Sequence, residues 1–218
     1  VAVTDNNASG TDGPVTVDAA VSEGNVVVLN GVDQDGTSPA TYTSPGFELN
    51  DGTDNRVTLA DDPDGDGNSG AGETGVYLND GNGNDIVTGG ASDDTFDMTT
   101  GSGNDTVDLA GGDDTIDIGQ HDSSSTNVDS NDSLTGGAGT DTLNSGNNSL
   151  DVTQSSLSSI TSGFDRLLVN NNGSNTVTIN DAFVNQSDDG QVTVAVTDNN
   201  ASGTDGPVTV DAAVSEGN

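Results

Sequence analysis

Between Asp80 and Asn144 the chain falls into a nine-residue rhythm, and few folds accommodate it. Six blocks share the rhythm: DGNGNDIVT (80–88), GGASDDTFD (89–97), TGSGNDTVD (100–108), LAGGDDTID (109–117), NVDSNDSLT (127–135) and GGAGTDTLN (136–144). The sixth position is always Asp: Asp85, Asp94, Asp105, Asp114, Asp132 and Asp141. The eighth is always apolar: Val87, Phe96, Val107, Ile116, Leu134 and Leu143.

Outside these blocks the apolar residues also come in short β-branched bursts, at Val15–Val17, Val26–Leu29, Phe47–Leu49, Val57–Leu59, Val76–Leu78, Leu167–Val169, Val177–Ile179 and Val192–Val196. Asn-Asp, Asp-Gly and Asn-Gly pairs bound them, which is the punctuation of strands and turns. Apart from a brief stretch at Ser155–Ile160, nothing follows a helical period. The expected class is all-β. Three bursts (47–52, 76–81 and 177–181) place an apolar-x-apolar strand directly before Asn-Asp, as the rungs of a solenoid sharing one corner would.

A longer repeat encloses the short one. Residues 1–25 recur unchanged at 194–218, an offset of 193. The expectation is a window from an array of near-identical units, in which 194–218 starts the next unit. An engineered duplication is the alternative. Tandem identity over long units suits extended structural proteins better than enzymes.

Charge narrows the partners. There are 37 acidic residues against two basic ones, giving a net charge of −35; four acids are Glu and the other 33 are Asp. Neither a basic footprint for nucleic acid nor a polybasic patch for anionic lipid exists. No apolar run approaches the roughly 18 residues of a membrane-spanning helix, so neither nucleic-acid binding nor membrane insertion is expected. A hydrophobic fraction of 28% with this charge would ordinarily mean disorder. Asp, however, suits tight turns and cation-binding loops, so the chain is expected to fold when metal neutralises those loops. Cysteine is absent, which excludes disulfides and zinc thiolates.

The six blocks resemble the repeats-in-toxin (RTX) family, whose nonapeptide is GGxGxDxUx with U a large apolar residue. Block 136–144 matches every defined position. The resemblance implies a right-handed parallel β-solenoid, or β-roll, with two nonapeptides per rung, each a glycine-rich turn followed by a short strand. It also implies Ca²⁺ held between rungs by turn carbonyls and the sixth-position carboxylates of Asp85, Asp94, Asp105, Asp114, Asp132 and Asp141. Calcium favours six to eight hard oxygen ligands, and glycine permits the tight backbone curl around it. Treating 118–126 (IGQHDSSST) as a degenerate half-rung stacks Asp85, Asp105, Ser123 and Asp141 on one face and Asp94, Asp114 and Asp132 on the other. The expected ion sites are then 85/105, 94/114 and 114/132. Departures at Asp80, Thr100, Leu109, Asn127, Ala110 and Val128 mark turns expected to bind more weakly or through other ligands.

A second candidate is Asp62-Pro-Asp64-Gly-Asp66-Gly67 with Glu73, which satisfies D-x-D-x-D-G-x₅-E. Without flanking helices it reads as an EF-hand-like calcium loop between strands, with Asp62, Asp64, Asp66 and Glu73 as ligands. Segment 157–183 resembles, in composition, solenoid text of bacterial surface-layer and adhesin proteins.

Catalytic chemistry finds little support. His121 reads as a solvated turn residue, and Arg56 and Arg166 as partners of nearby Asp. The pairs Asp93-Asp94 and Asp113-Asp114 point to opposite sides of a strand. A regular Thr ladder for ice binding is missing. No enzyme activity is expected, and a β-helix polysaccharide lyase or hydrolase is the remote alternative.

The expected organisation is solenoid rungs or a small β-sandwich at 1–79, a calcium roll at 80–148, continuing solenoid at 149–193 and the next unit at 194–218. At 18–20 residues per rung, 193 residues make about ten rungs, or about 50 Å at the strand spacing. The expected role is a calcium-stabilised structural repeat of a secreted filament, adhesin stalk, surface-layer or biofilm protein, located outside the cell and exported by type I secretion. Its expected partners are neighbouring repeats, joined end to end or laterally, and cell-surface polysaccharide. A β-sandwich extender array is the alternative.

Overall fold

The computed structural model describes residues 2–3, 15–17, 25–28, 47–49, 56–59, 74–80, 83–99, 102–119, 128–146, 150–152, 157, 161–170, 173–197 and 205–213. Its strands are β1 (Ala2–Val3), β2 (Val15–Val17), β3 (Asn25–Val28), β4 (Phe47–Leu49), β5 (Arg56–Leu59), β6 (Thr74–Asn79), β7 (Ile86–Thr88), β8 (Asp93–Asp97), β9 (Thr106–Asp108), β10 (Thr115–Asp117), β11 (Ser133–Thr135), β12 (Thr142–Asn144), β13 (Leu150–Asp151), β14 (Thr161–Ser162), β15 (Arg166–Asn170), β16 (Gly173–Asn180), β17 (Thr193–Thr197) and β18 (Asp205–Ala213). Helix is scarce; α1 spans Asp181–Val184, capped by Asn180 Oδ1, which accepts the Phe183 amide at 2.9 Å.

Every strand pairing among the described residues is parallel. Successive strands alternate between two sheets, in the orders β1-β3-β5-β7-β9-β11-β14 and β17-β15-β12-β10-β8-β6-β4-β2. This is the arrangement of a parallel solenoid, because parallel neighbours require a crossover and the chain supplies it through the opposite sheet. The described strands before residue 60 belong to the same two sheets, whereas hairpins of a sandwich would pair antiparallel. From β13 onward a third sheet appears, β13-β16-β18, so the last rungs have three sides.

The eighth-position residues build the core. Val57, Val87, Val107 and Leu134 stand in register along one sheet, and Leu78, Phe96, Ile116, Leu143 and Leu167 along the other. All are buried. Strand alternation carries the next-but-one residue inward as well, adding Leu59, Met98, Leu109, Ile118 and Val169. Leu109 and Val128, which depart from the glycine pattern, are therefore core residues.

Two expectations are corrected. The half-rung expected at 118–126, most of which lies outside the described residues, enters neither ladder: β9 pairs directly with β11 and β10 directly with β12. Apolar contact with the strand beneath sets this register, with Leu134 over Val107 and Leu143 over Ile116. The rungs are also uneven. Paired residues are 18 apart at Leu78↔Phe96, 20 at Val87↔Val107, 27 at Val107↔Leu134 and 33 at Val177↔Val210. Seven rung steps, not ten, link β2 to β17 along the longer ladder of described strands, which gives about 34 Å at the usual strand spacing.

Candidate metal centre

Five of the sixth-position Asp residues sit just before their strands and Asp94 is the second residue of β8; all six are buried. The backbone shows why burial is tolerated. The Asp85 amide donates to Asp105 Oδ1 at 2.8 Å, and the Asp105 amide to Asp132 Oδ1 at 2.7 Å. On the other side the Asp94 amide donates to Asp114 Oδ1 at 2.7 Å, and the Asp114 amide to Asp141 Oδ1 at 2.9 Å. The true columns are thus Asp85–Asp105–Asp132 and Asp94–Asp114–Asp141. The expected pairs 85/105 and 94/114 are brought together. The expected pair 114/132 is not; 105/132 and 114/141 replace it, and no Ser123 gap interrupts either column, for the register reason given above.

The fifth position runs a reciprocal ladder on the exposed side. There the later rung donates: the Asn104 amide to Asn84 Oδ1 at 2.9 Å, Asp113 to Asp93 Oδ1 at 2.7 Å, and Thr140 to Asp113 Oδ1 at 2.8 Å. Asp93 and Asp113 consequently face outward while Asp94 and Asp114 face inward. The adjacent carboxylates 93/94 and 113/114 are thus held on opposite faces of their rungs.

One oxygen each of Asp105, Asp114, Asp132 and Asp141 is thereby committed to the backbone. The other oxygens, Oδ2 of Asp105, Asp114 and Asp141, are buried and accept no hydrogen bond. A buried carboxylate oxygen without a donor is costly, and a bound cation is a standard remedy. Burial foremost, then the neighbouring carboxylates, pushes Asp105 up to about 7, Asp114 to about 8 and Asp141 to about 7, with amide donation opposing each rise. Asp132 is raised too, mainly by burial, but both its oxygens are occupied: Oδ2 accepts the Asp129 amide at 2.6 Å. It therefore closes its column.

At the opposite end of that column lies a tighter cluster. Asp80, Asp85 and Asp105, all buried, each bring a carboxylate oxygen within 4.8 Å of the others, a grouping that could hold a metal ion. Asp80 and Asp85 flank a single turn between β6 and β7, and Asp105 arrives from the next rung. The residues present fit a hard cation: oxygen donors only, concentrated negative charge and stacked turn backbones.

Asp80 escaped the pattern because it occupies a block's first position, where glycine was expected. Asp165 escaped because it lies outside the blocks. It extends the second column, accepting the Asp141 amide through Oδ2 at 3.2 Å and the Asp188 amide through Oδ1 at 3.1 Å. The available signal was Asp165-x-Leu167, the same carboxylate-x-apolar spacing, with Leu167 paired to Leu143.

The EF-hand-like residues Asp62, Asp64, Asp66 and Glu73 lie outside the described residues, as do His121 and Ser123. Arg166 is exposed and shares a surface depression with Asp165, Asp188 and Asp189. No helix among the described residues is long and apolar enough to cross a membrane.

No protein-family model, curated protein or solved structure matches this chain.

Proposed function

We propose that the chain is a calcium-stabilised structural repeat of a secreted tandem-repeat filament, adhesin stalk or surface-layer protein, built as a right-handed RTX-like β-roll. One observation carries this reading. In both columns an inter-rung amide occupies one oxygen of Asp105, Asp114 and Asp141 while the second oxygen stays buried without a donor. Carboxylates in that state oppose folding until a cation joins them, and Ca²⁺ matches their hard-oxygen chemistry and variable geometry.

The net charge of −35 supports a folding switch. Where free Ca²⁺ is scarce, carboxylate repulsion keeps the chain extended and exportable. Where it is abundant, Ca²⁺ binds the folded state and stabilises it by mass action. The product is stiffness and length, with adjoining repeats as the principal partners and catalysis no part of the role.

Far-UV circular dichroism of the full chain, titrated with Ca²⁺, then EGTA, with Mg²⁺ at matched ionic strength, tests the proposal. A coil-to-β transition driven by Ca²⁺ and reversed by chelation is expected. A β spectrum unchanged in EGTA would remove the switch and leave a metal-independent scaffold.

A further inference from the structure

Asp80, Asp85 and Asp105 are, among the described residues, the one group of three carboxylates close enough to share a cation. Crowded acids alone would mean little. The second observation is the state of Asp105, which is fully buried. Its Oδ1 accepts the Asp85 amide at 2.8 Å, which turns the carboxylate toward that turn, and its Oδ2 is buried without a donor.

Placement sets this corner apart from the rest of both columns. Asp80 follows β6 of the eight-stranded sheet, whereas Asp85 and Asp105 precede β7 and β9 of the seven-stranded sheet. The pair 105/132 stays with the seven-stranded sheet, and 94/114 and 114/141 stay with the eight-stranded one. The first column is also polar. At its Asp132 end both carboxylate oxygens accept amides, and at its Asp80 end three carboxylates converge.

We infer that this corner is the first cation site to fill and the seed from which the two ladders fold, with Ca²⁺ bridging Asp80, Asp85 and Asp105. The inference rests on the calcium reading above and assigns the order of loading.

Three arguments favour that order. Ligand charge is what tunes calcium affinity, and three carboxylates meet here against two between other rungs. The corner is also the most local site: Asp80 and Asp85 are five residues apart and Asp105 lies 20 further on, against 27 for 105/132 and 114/141. Closure entropy grows slowly with loop length, so 20 against 27 decides little and the third carboxylate decides most. Finally, an ion here joins β6 to β7 and β9 and so aligns both sheets at once. The Asp80 amide donates to the Asp97 carbonyl at 2.8 Å, and the Asp105 amide to Asp132 Oδ1, so each ladder has its next rung attached to the seeded corner. Later rungs then add to an ordered neighbour, as in other solenoids.

The test compares the full chain with Asp80→Asn and Asp141→Asn by calorimetric titration with Ca²⁺ and by circular dichroism over the same concentrations. The parent is expected to show a tightest class of one ion. Asp80→Asn should weaken that class by roughly 10-fold or more and move the Ca²⁺ midpoint of β-structure formation upward with it. Asp141→Asn should leave the tightest class intact. A tightest class that survives Asp80→Asn, or a parent with no class tighter than the rest, overturns the inference and leaves calcium-dependent folding standing. If Asp80→Asn gains no β structure at any Ca²⁺ concentration, Asp80→Glu decides: the retained carboxylate must recover folding and the tight class, and failure to do so overturns the inference. A β spectrum unchanged in EGTA overturns the seeding role together with the calcium switch.

Discussion

The amide of Asp114 donates to Oδ1 of Asp141 at 2.9 Å across 27 residues of sequence, and Oδ2 of the same Asp141 is buried without a donor. One carboxylate thus serves as a structural bracket on one oxygen and presents the other as a ligand. Replacing Asp141 by Asn separates the roles, because the amide oxygen still accepts from Asp114 while the charge disappears. Calorimetric titration of Asp141→Asn with Ca²⁺ is expected to show one site weakened by roughly 10-fold or more, at least the loss that removing a group behind a ligand causes. The same variant should be more stable than the parent in EGTA at pH 8. Unchanged affinity would remove Asp141 from the ligand set.

Protons and metal compete for the same oxygens. Asp105 and Asp141 are raised to about 7 and Asp114 to about 8 in the fold, chiefly by burial, against about 3.9 for an unfolded aspartate. Between these limits the metal-free fold holds protons that the unfolded chain has released, so its stability falls as pH rises from about 4 to about 8. Far-UV circular dichroism in EGTA is expected to show the largest folded fraction near the acid end of that window and the smallest at pH 8. Ca²⁺ should reverse the trend, and its binding at about pH 6.5 should release protons, measurable in buffers of different ionisation enthalpy. A folded fraction in EGTA that rises with pH would contradict this account.

Turn stacking sets a steric limit at Gly139. Its φ is 137°, and an added Cβ would collide with the carbonyl oxygen of Gly112 in the rung beneath. Gly139→Ala is expected to cost about 2 kcal/mol or more, combining left-handed strain with a displaced backbone. Thermal denaturation in saturating Ca²⁺ should show the loss as a lowered midpoint. An unshifted midpoint would mean that the turns are looser than their geometry indicates.

Core and surface positions of β8 should separate cleanly. Phe96 is completely buried between Leu78 and Ile116, whereas Thr95 is half-buried on the outer face. Phe96→Ala is expected to cost about 3–5 kcal/mol and Thr95→Ser less than about 1 kcal/mol. Equal losses in urea denaturation would refute the inward placement of the eighth position.

The sixth and eighth positions were legible because both carry strong chemistry at a constant phase: a carboxylate at the turn and an apolar residue toward the core. All six carboxylates and all six apolar residues are buried. Register was illegible across 118–126, since counting in nines assumes that every nine residues advance the chain by one strand. Contact with the strand beneath decides that, and Leu134 on Val107 is such a contact. Asp80 and Asp165 were hidden for a related reason. Their roles depend on which rung lies beside them, so Asp80 gains its meaning from Asp105 and Asp165 from Asp141.

The uneven rungs separate two quantities that most fibrous designs tie together. Steps of 18 and of 33 residues both advance the ladder by one strand spacing, so axial length counts strands and is indifferent to the residues between them. Insertions at the corners would thicken the solenoid locally and leave the strand spacing along its axis unchanged. Such a molecule can diversify what it displays sideways while its length stays the same.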